Sequence, residues 1–247
     1  MDHAVLRDDM VDSLEHPSKG VVQREEIGLA MRTVPREQFV DDESAAYADR
    51  DHRVRGTTVF SPSRAARLLE ALRPRPGNNT LVVGAGVGYT VAVLAEIVGS
   101  RNVQAIELSR PVVREARRNL AKAGYDSVLV EHGDGANGLA AYAPYDRILI
   151  ETAVHSPPQS PIDQLAEGGR LVLPRGSGVQ ELVAIEAGGE VAEHGTIAVE
   201  PMLVPGEEAG AIERNRTARE DREMADRAAM RRNGWEREWI DWTGSGD

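Results

Sequence analysis

Three glycines at alternate positions, Gly84, Gly86 and Gly88, and one carboxylate, Glu107, are the residues of this chain whose types and spacing can do chemistry together. Glycine lets the backbone approach a bound molecule where a Cβ would collide. A helix that opens directly after such a turn leaves free N–H groups beside it. An ionised carboxylate only accepts hydrogen bonds, and its two oxygens can take both hydroxyls of a sugar diol. Turn, helix start and acid together describe a seat for a nucleoside. That seat needs a strand to aim the turn, a helix behind it and a second strand to carry the acid. Thr80-Leu81-Val82-Val83 is an apolar strand running into the turn. Tyr89 to Val98 has a helical pattern, with Val91, Leu94, Ala95 and Val98 on one face. Asn102-Val103-Gln104-Ala105-Ile106 is a strand pattern that ends on Glu107.

A dinucleotide turn requires G-x-G-x-x-G, with glycines placed for a pyrophosphate. Position 89 is Tyr and position 91 is Val, so neither register completes it. The G-x-G-x-G form with an acid at the next strand end suits S-adenosylmethionine, which has no phosphate.

The elements around this unit alternate. Residues 1 to about 40 read as helical, with Val21 to Thr33 stopped at Val34-Pro35, because Pro35 disfavours helix before it. Asp41 to Gly56 is polar and loop-like. Ser61 or Ser63 caps a helix to Leu72, with Pro62 in its first turn. Pro111 to Ala123 is a helix, Ser127 to Glu131 a strand leading to Gly133-Asp134-Gly135, and Tyr145 to Glu151 a strand centred on Ile148-Leu149-Ile150. Gln159 to Leu165 is a short helix closed by Gly168-Gly169, and a strand starts at Arg170. Glu181 to Glu186 and Gly195 to Leu203 form a late antiparallel pair. This order predicts an α/β fold, a doubly wound and mostly parallel sheet with late antiparallel strands. Ligands of such sheets lie at the carboxyl ends of the strands, where Glu107, Asp134 and Thr152 fall.

The expected organisation is one domain over 1–206, made of an N-terminal helical segment (1–76) and a cofactor-binding core (77–206), followed by a charged helical extension over 207–247. That extension holds all three tryptophans, Trp235, Trp239 and Trp242, which would share one helix face. Docking on the protein's own core and an oligomer-forming arm both fit that face.

The chain has 247 residues, no Cys and a net charge of −11. Disulfides and thiolate metal sites are excluded, and the acidity disfavours general nucleic-acid binding. The six histidines show no metal-ligand spacing. No apolar run reaches membrane-spanning length, and the N-terminus lacks a basic region before an apolar one, so a cytoplasmic protein is expected. Of 29 basic residues only Lys19 and Lys122 are lysines. Two explanations fit this bias: a salt-loving source and a high-GC genome.

From about residue 21 to 206 the chain resembles the protein-L-isoaspartate O-methyltransferases. The resemblance is carried by Val34-Pro35-Arg36-Glu37-Gln38-Phe39-Val40, Ala46-Tyr47-Ala48-Asp49, Gly84 to Tyr89 with Ala92 to Ala95, and Arg118-Asn119-Leu120. Gly133-Asp134-Gly135, Pro144 to Ile148 with Thr152-Ala153, Leu165 to Pro174 with Gly168-Gly169-Arg170, and Gln180-Glu181-Leu182 continue it. It implies a class I methyltransferase fold and an enzyme that methylates the free carboxylate of isoaspartyl residues in damaged proteins, using S-adenosyl-L-methionine. It implies that Thr58, Gly84, Ala85, Gly86, Gly88, Glu107, Leu108, Asp134, Gly135 and Thr152 hold the cofactor. Glu107 would take the ribose hydroxyls and Asp134 the adenine amino group. Thr57, Phe60 and Ala153 would face the substrate, and no metal is implied.

Two departures stand out. The family carries an acid where this chain has Val82, and that acid supports the cofactor's positive end. The family's substrate loop has a hydroxyl residue where this chain has Phe60, with Ser61 one place later as the candidate catalytic replacement. Phe60 keeps open methyl transfer to RNA or a small molecule on the same fold, and Val82, Phe60 and the tryptophan-bearing tail keep open a non-catalytic binding or regulatory protein.

Overall fold

The structure is a computed structural model that describes residues 2–207 together with Asn215 and Arg219. The chain divides into two compact units, Met1–Pro205 and Gly206–Asp247. Every element named below lies in the first, and the tryptophan face at 235–242 lies outside the described residues.

The helical N-terminal segment is two helices, α1 (His3–Glu15) and α2 (Glu25–Thr33). The second ends at Val34, whose extended backbone (ψ 122°) is what a following proline requires. The end of the stretch read as a loop is the first strand and turn of a hairpin, β1 (His52–Val54) against β2 (Thr57–Val59). Its two turn residues, Arg55 (φ 52°) and Gly56 (φ 82°), both have left-handed backbone, as the tight two-residue hairpin turn requires. Helix α3 (Pro62–Leu72) starts as expected, with Pro62 in its first turn and the Ser61 side chain accepting from the Arg64 N–H.

The main sheet has seven strands: β3 (Thr80–Val83), β4 (Val103–Glu107), β5 (Leu129–His132), β6 (Tyr145–Ile150), β7 (Leu165–Arg175), β8 (Gln180–Glu186) and β9 (Val191–Ile197), in the order β5-β4-β3-β6-β7-β8-β9. The first five strands of that order run parallel, and β8 and β9 add antiparallel at one edge. Helices α4 (Tyr89–Val98), α5 (Arg110–Lys122) and α6 (Gln159–Asp163) complete the alternation. The strand centres Leu81, Val82, Val83, Leu149 and Val172 are buried, as in any parallel sheet covered on both faces. Val82 and Leu149 belong to one side of the core, with α4, whereas Val83 and Ile150 belong to the other.

Three expectations need correction. Strand β7 begins at Leu165 and runs through Gly168-Gly169, where the register against β6 shifts. A Cβ at Gly169 would lie 2.8 Å from the Ala166 carbonyl oxygen and 2.9 Å from that of Tyr145, so the irregularity demands glycine. The last strand is Val191–Ile197, rather than Gly195–Leu203. Gly195 (φ 79°) lies inside it. The helix before β7 stops at Asp163.

Candidate active site

The glycine turn joins β3 to α4 at the centre of the sheet. Gly84, Gly86 and Gly88 all have left-handed backbone (φ 84°, 51° and 101°). The Gly84 and Ala85 N–H groups donate to the Ile106 carbonyl, at 2.9 and 3.2 Å, which ties the turn to β4. Glu107 closes the unit. Its Oε2 accepts from the Gly86 N–H at 3.1 Å and its Oε1 from the Ser109 N–H at 2.9 Å. Burial raises the Glu107 pKa, and the backbone donors Ser109, Gly86 and Leu108 oppose that shift. The Gly86 and Ser109 bonds take one lone pair of each oxygen, which leaves a second on each for a diol.

At the end of β5, Asp134 Oδ1 accepts from the Ala136 N–H at 2.9 Å, an ordinary turn bond. Among the described residues nothing donates to its Oδ2. A Cβ at Gly135 would lie 2.4 Å from Val83 Cγ1, so the loop rests directly on β3.

Beside the turn lies a cleft of about 420 Å³. Its floor is Gly84, Glu151 and Thr152, its wall is Thr57, Thr58 and Phe60, and its mouth carries Arg53, Arg64, Asp51 and Glu200. Arg53 pairs with Glu200 and Arg64 with Asp51. The β1–β2 hairpin packs over the glycines: a Cβ on Gly86 would lie 3.4 Å from Thr57 Oγ1. The hairpin therefore brings Thr57, Thr58 and Phe60 to the same side as the turn.

Of the expected residues, Thr57, Thr58, Phe60, Gly84 and Thr152 line this cleft, and the others stand elsewhere. Glu107, Asp134 and Gly135 lie outside this cleft, at the ends of β4 and β5. Ala153 is held by a backbone bridge to Pro201 and is not a lining residue. Ser61, also outside the lining, caps α3 and donates its N–H to Asp51 Oδ1 at 2.8 Å.

The Val34-Pro35-Arg36 motif earlier in the chain acts through Arg36. Its guanidinium is fully buried, donates to the Ala46 carbonyl at 2.7 Å and the Phe60 carbonyl at 2.6 Å, and stacks 4.4 Å from the Tyr89 ring centre. Burial lowers its pKa against the opposing pull of Tyr89, Asp51 and Asp49. Arg36 thus pins the loop of Phe60 to the first turn of α4. Arg36→Ala leaves two carbonyls without a donor in a cavity, and a loss of about 3 kcal/mol or more is expected in urea unfolding. A loss below about 1 kcal/mol contradicts this role.

Glu151 is the residue that sequence reasoning passed over. It is 8% exposed and sits on the cleft floor, and its Oε1 is buried with no hydrogen-bond partner. Burial is the main cause that pushes its pKa up to about 8; the Thr90 hydroxyl lowers it and Glu107 raises it. An acid directly after the buried run Ile148-Leu149-Ile150, at the carboxyl end of a parallel strand, was the available signal.

Comparison with known proteins bears on the family and the fold. The family model described as protein-L-isoaspartate(D-aspartate) O-methyltransferase matches residues 6–206. A protein-L-isoaspartate O-methyltransferase of Methanopyrus kandleri is 39% identical over 207 residues, covering 80% of this chain and 91% of its own. One of Methanosarcina mazei is 37% identical over 185 residues, covering 73% and 74%. A solved protein-L-isoaspartate O-methyltransferase superposes with a TM-score of 0.71 at 28% identity, over 85% of this chain and 69% of that one. A second solved structure, from Plasmodium falciparum in complex with S-adenosyl-L-homocysteine, has a TM-score of 0.71 at 19% identity, over 80% and 98%, a likeness of fold. The chain belongs to the protein-L-isoaspartate(D-aspartate) O-methyltransferase family.

Proposed function

We propose that the chain methylates the free carboxylate of isoaspartyl residues in damaged proteins, with S-adenosyl-L-methionine as donor. The observation that carries this reading is the junction of the glycine turn and Glu107 with the hairpin cleft, in a chain of this family.

The donor set fits an adenosyl ligand. Glu107 presents acceptors to a ribose, Asp134 an acceptor to an exocyclic amine, and Gly135 a surface without a side chain for the adenine. Gly84, Ala85, Gly86, Gly88 and Thr58 surround the methionine part, Leu108 supports Glu107, and Thr152 lies beside Gly84. When bound, S-adenosylmethionine supplies a methyl group on a positive sulfur, which leaves with the S–C electron pair as the acceptor oxygen bonds to the carbon. A carboxylate acceptor is ionised at neutral pH, so no general base is required. The work of the protein is alignment at about 3–3.5 Å and exclusion of water. Thr57 and Phe60 form the wall against which the acceptor peptide lies. Cytoplasmic action belongs to the same reading.

Ser61 uses its hydroxyl oxygen as a cap, and the hydroxyl proton is available for the acceptor carboxylate. Ser61→Ala is expected to lower stability by about 1 kcal/mol and kcat/KM for the peptide by about tenfold. A loss of stability with kcat/KM unchanged confines Ser61 to capping.

Phe60 favours a second reading, in which the same chemistry acts on an acceptor with a flat ring. Incubation with labelled donor decides. Label on an isoaspartyl peptide, with none on the aspartyl peptide of the same sequence, is expected. Label on tRNA alone, or on neither, overturns the reading.

A further inference from the structure

Val82 stands on β3 at the position where the resemblance to the family implies an acid. Val82 pairs with Leu149 and Val83 with Ile150 in the parallel register. Gly84 and Glu151 follow these pairs, and the Glu151 N–H donates to the Val83 carbonyl at 2.9 Å. Side chains alternate along a strand, so Glu151 stands on the same sheet face as Val82, one step nearer the carboxyl ends. That is the α4 side, where Val82 and Leu149 are buried. A Cβ at Gly84 would lie 3.9 Å from the Glu151 Cβ. Glu151 therefore lies directly beside the glycine turn.

We infer that Glu151 is the counter-charge for the cationic methionyl end of the methyl donor, in place of the acid absent at position 82. This inference rests on the proposed function.

The orphaned oxygen is the first observation behind it. A buried carboxyl oxygen without a partner is costly, and Glu151 Oε1 is such an atom on the floor of the cleft. The surrounding charges are the second. The Thr90 hydroxyl from α4 and the Glu107 carboxylate at the end of β4 act on Glu151. The two arginines of the cleft are held at its mouth by Glu200 and Asp51. No cation of the chain among the described residues is paired with Glu151. With its pKa near 8 the carboxyl is protonated at pH 7 in the free protein. A bound cation favours the ionised form, so binding should expel that proton to solvent.

Calorimetric titration at pH 7 with S-adenosylmethionine, S-adenosylhomocysteine and 5′-methylthioadenosine tests this. The first carries sulfonium and ammonium, the second ammonium alone, and the third neither. Glu151→Gln keeps the size and removes the charge. It is expected to weaken S-adenosylmethionine at least tenfold and to leave methylthioadenosine within about twofold. A weakening of S-adenosylhomocysteine equal to that of S-adenosylmethionine assigns the contact to the ammonium, and a smaller one to the sulfonium. Repeating the wild-type titration in buffers of different ionisation enthalpy should show release of most of one proton with S-adenosylmethionine, and none with methylthioadenosine. The inference is overturned if Glu151→Gln binds S-adenosylmethionine like wild type, if all three ligands weaken equally, or if no proton is released. In those cases wild-type binding leaves the proposed function standing. Wild-type protein that binds none of the three removes both.

Discussion

Glu107→Gln is expected to weaken binding of S-adenosylhomocysteine at least 100-fold while the protein stays folded. Two consequences of the exchange combine. A glutamine has one acceptor oxygen and one amide donor, whereas both Glu107 oxygens accept from backbone, Oε2 from Gly86 and Oε1 from Ser109. Whichever way the amide is turned, its NH2 faces one of these two backbone N–H groups, so either Gly86 or Ser109 loses its acceptor. The second consequence is the loss of charge. Hydrogen bonds to a charged acceptor contribute about 1.5–3 kcal/mol each, so two ribose bonds correspond to about 3 kcal/mol or more, the stated 100-fold. Stability should change little in either direction, because burial penalises this carboxylate while the backbone donors stabilise it. Affinity within threefold of wild type would show that the ribose lies elsewhere.

Gly135→Ala is expected to cost about 1–3 kcal/mol of stability and tenfold or more in affinity for any adenosyl ligand. The backbone of Gly135 is not in the left-handed region, so the cost is steric rather than conformational. The new Cβ meets Val83 Cγ1 at 2.4 Å, and Val83 is buried in β3, so the loop bearing Asp134 must lift. Removing the obstacle should restore the site. In the double variant with Val83→Ala, affinity should return to within about threefold of wild type, although the Val83 truncation itself costs stability. A double variant no better than Gly135→Ala alone would mean that the glycine serves something other than close approach to β3.

The parts of the fold that were legible in the sequence are those in which one element has one physical cause. Helix α4 follows from a ten-residue run, apolar almost throughout and buried on every side, directly after the glycine turn, α3 from a serine cap with Pro62 behind it, and the parallel strands from short runs of Val, Leu and Ile. The hairpin β1–β2 was not legible. Its strands have three residues each, too few to show alternation, and an arginine holds one of the left-handed turn positions. Strand β9 is not legible because it is an edge strand, exposed along most of its length, with a glycine inside it. Edge strands of that kind carry little hydrophobic pattern. The same contrast holds at the site. The turn and Glu107 declare themselves by spacing, whereas Glu151 shows in the sequence only as an acid after a buried strand, and its place beside the turn follows from the pairing of β3 with β6.

The motifs that narrowed the family turn out to hold the scaffold. Arg36 anchors the Phe60 loop, and Asp49 accepts from the Ser63 N–H at 2.9 Å at the start of α3. Arg170, buried in β7, donates to the Ala71 carbonyl at 2.6 Å and pairs with Glu186, which fastens α3 to the sheet. These residues position the cleft wall without lining it.

A crystal structure of the protein with S-adenosylhomocysteine addresses the nucleoside seat directly. The ribose hydroxyls should lie within hydrogen-bond distance of Glu107, with the adenine against Asp134 and Gly135 and the sulfur opening toward Thr57, Thr58 and Phe60. Adenosine density away from Glu107, or a sulfur turned from that cleft, would contradict the assignment of this pocket.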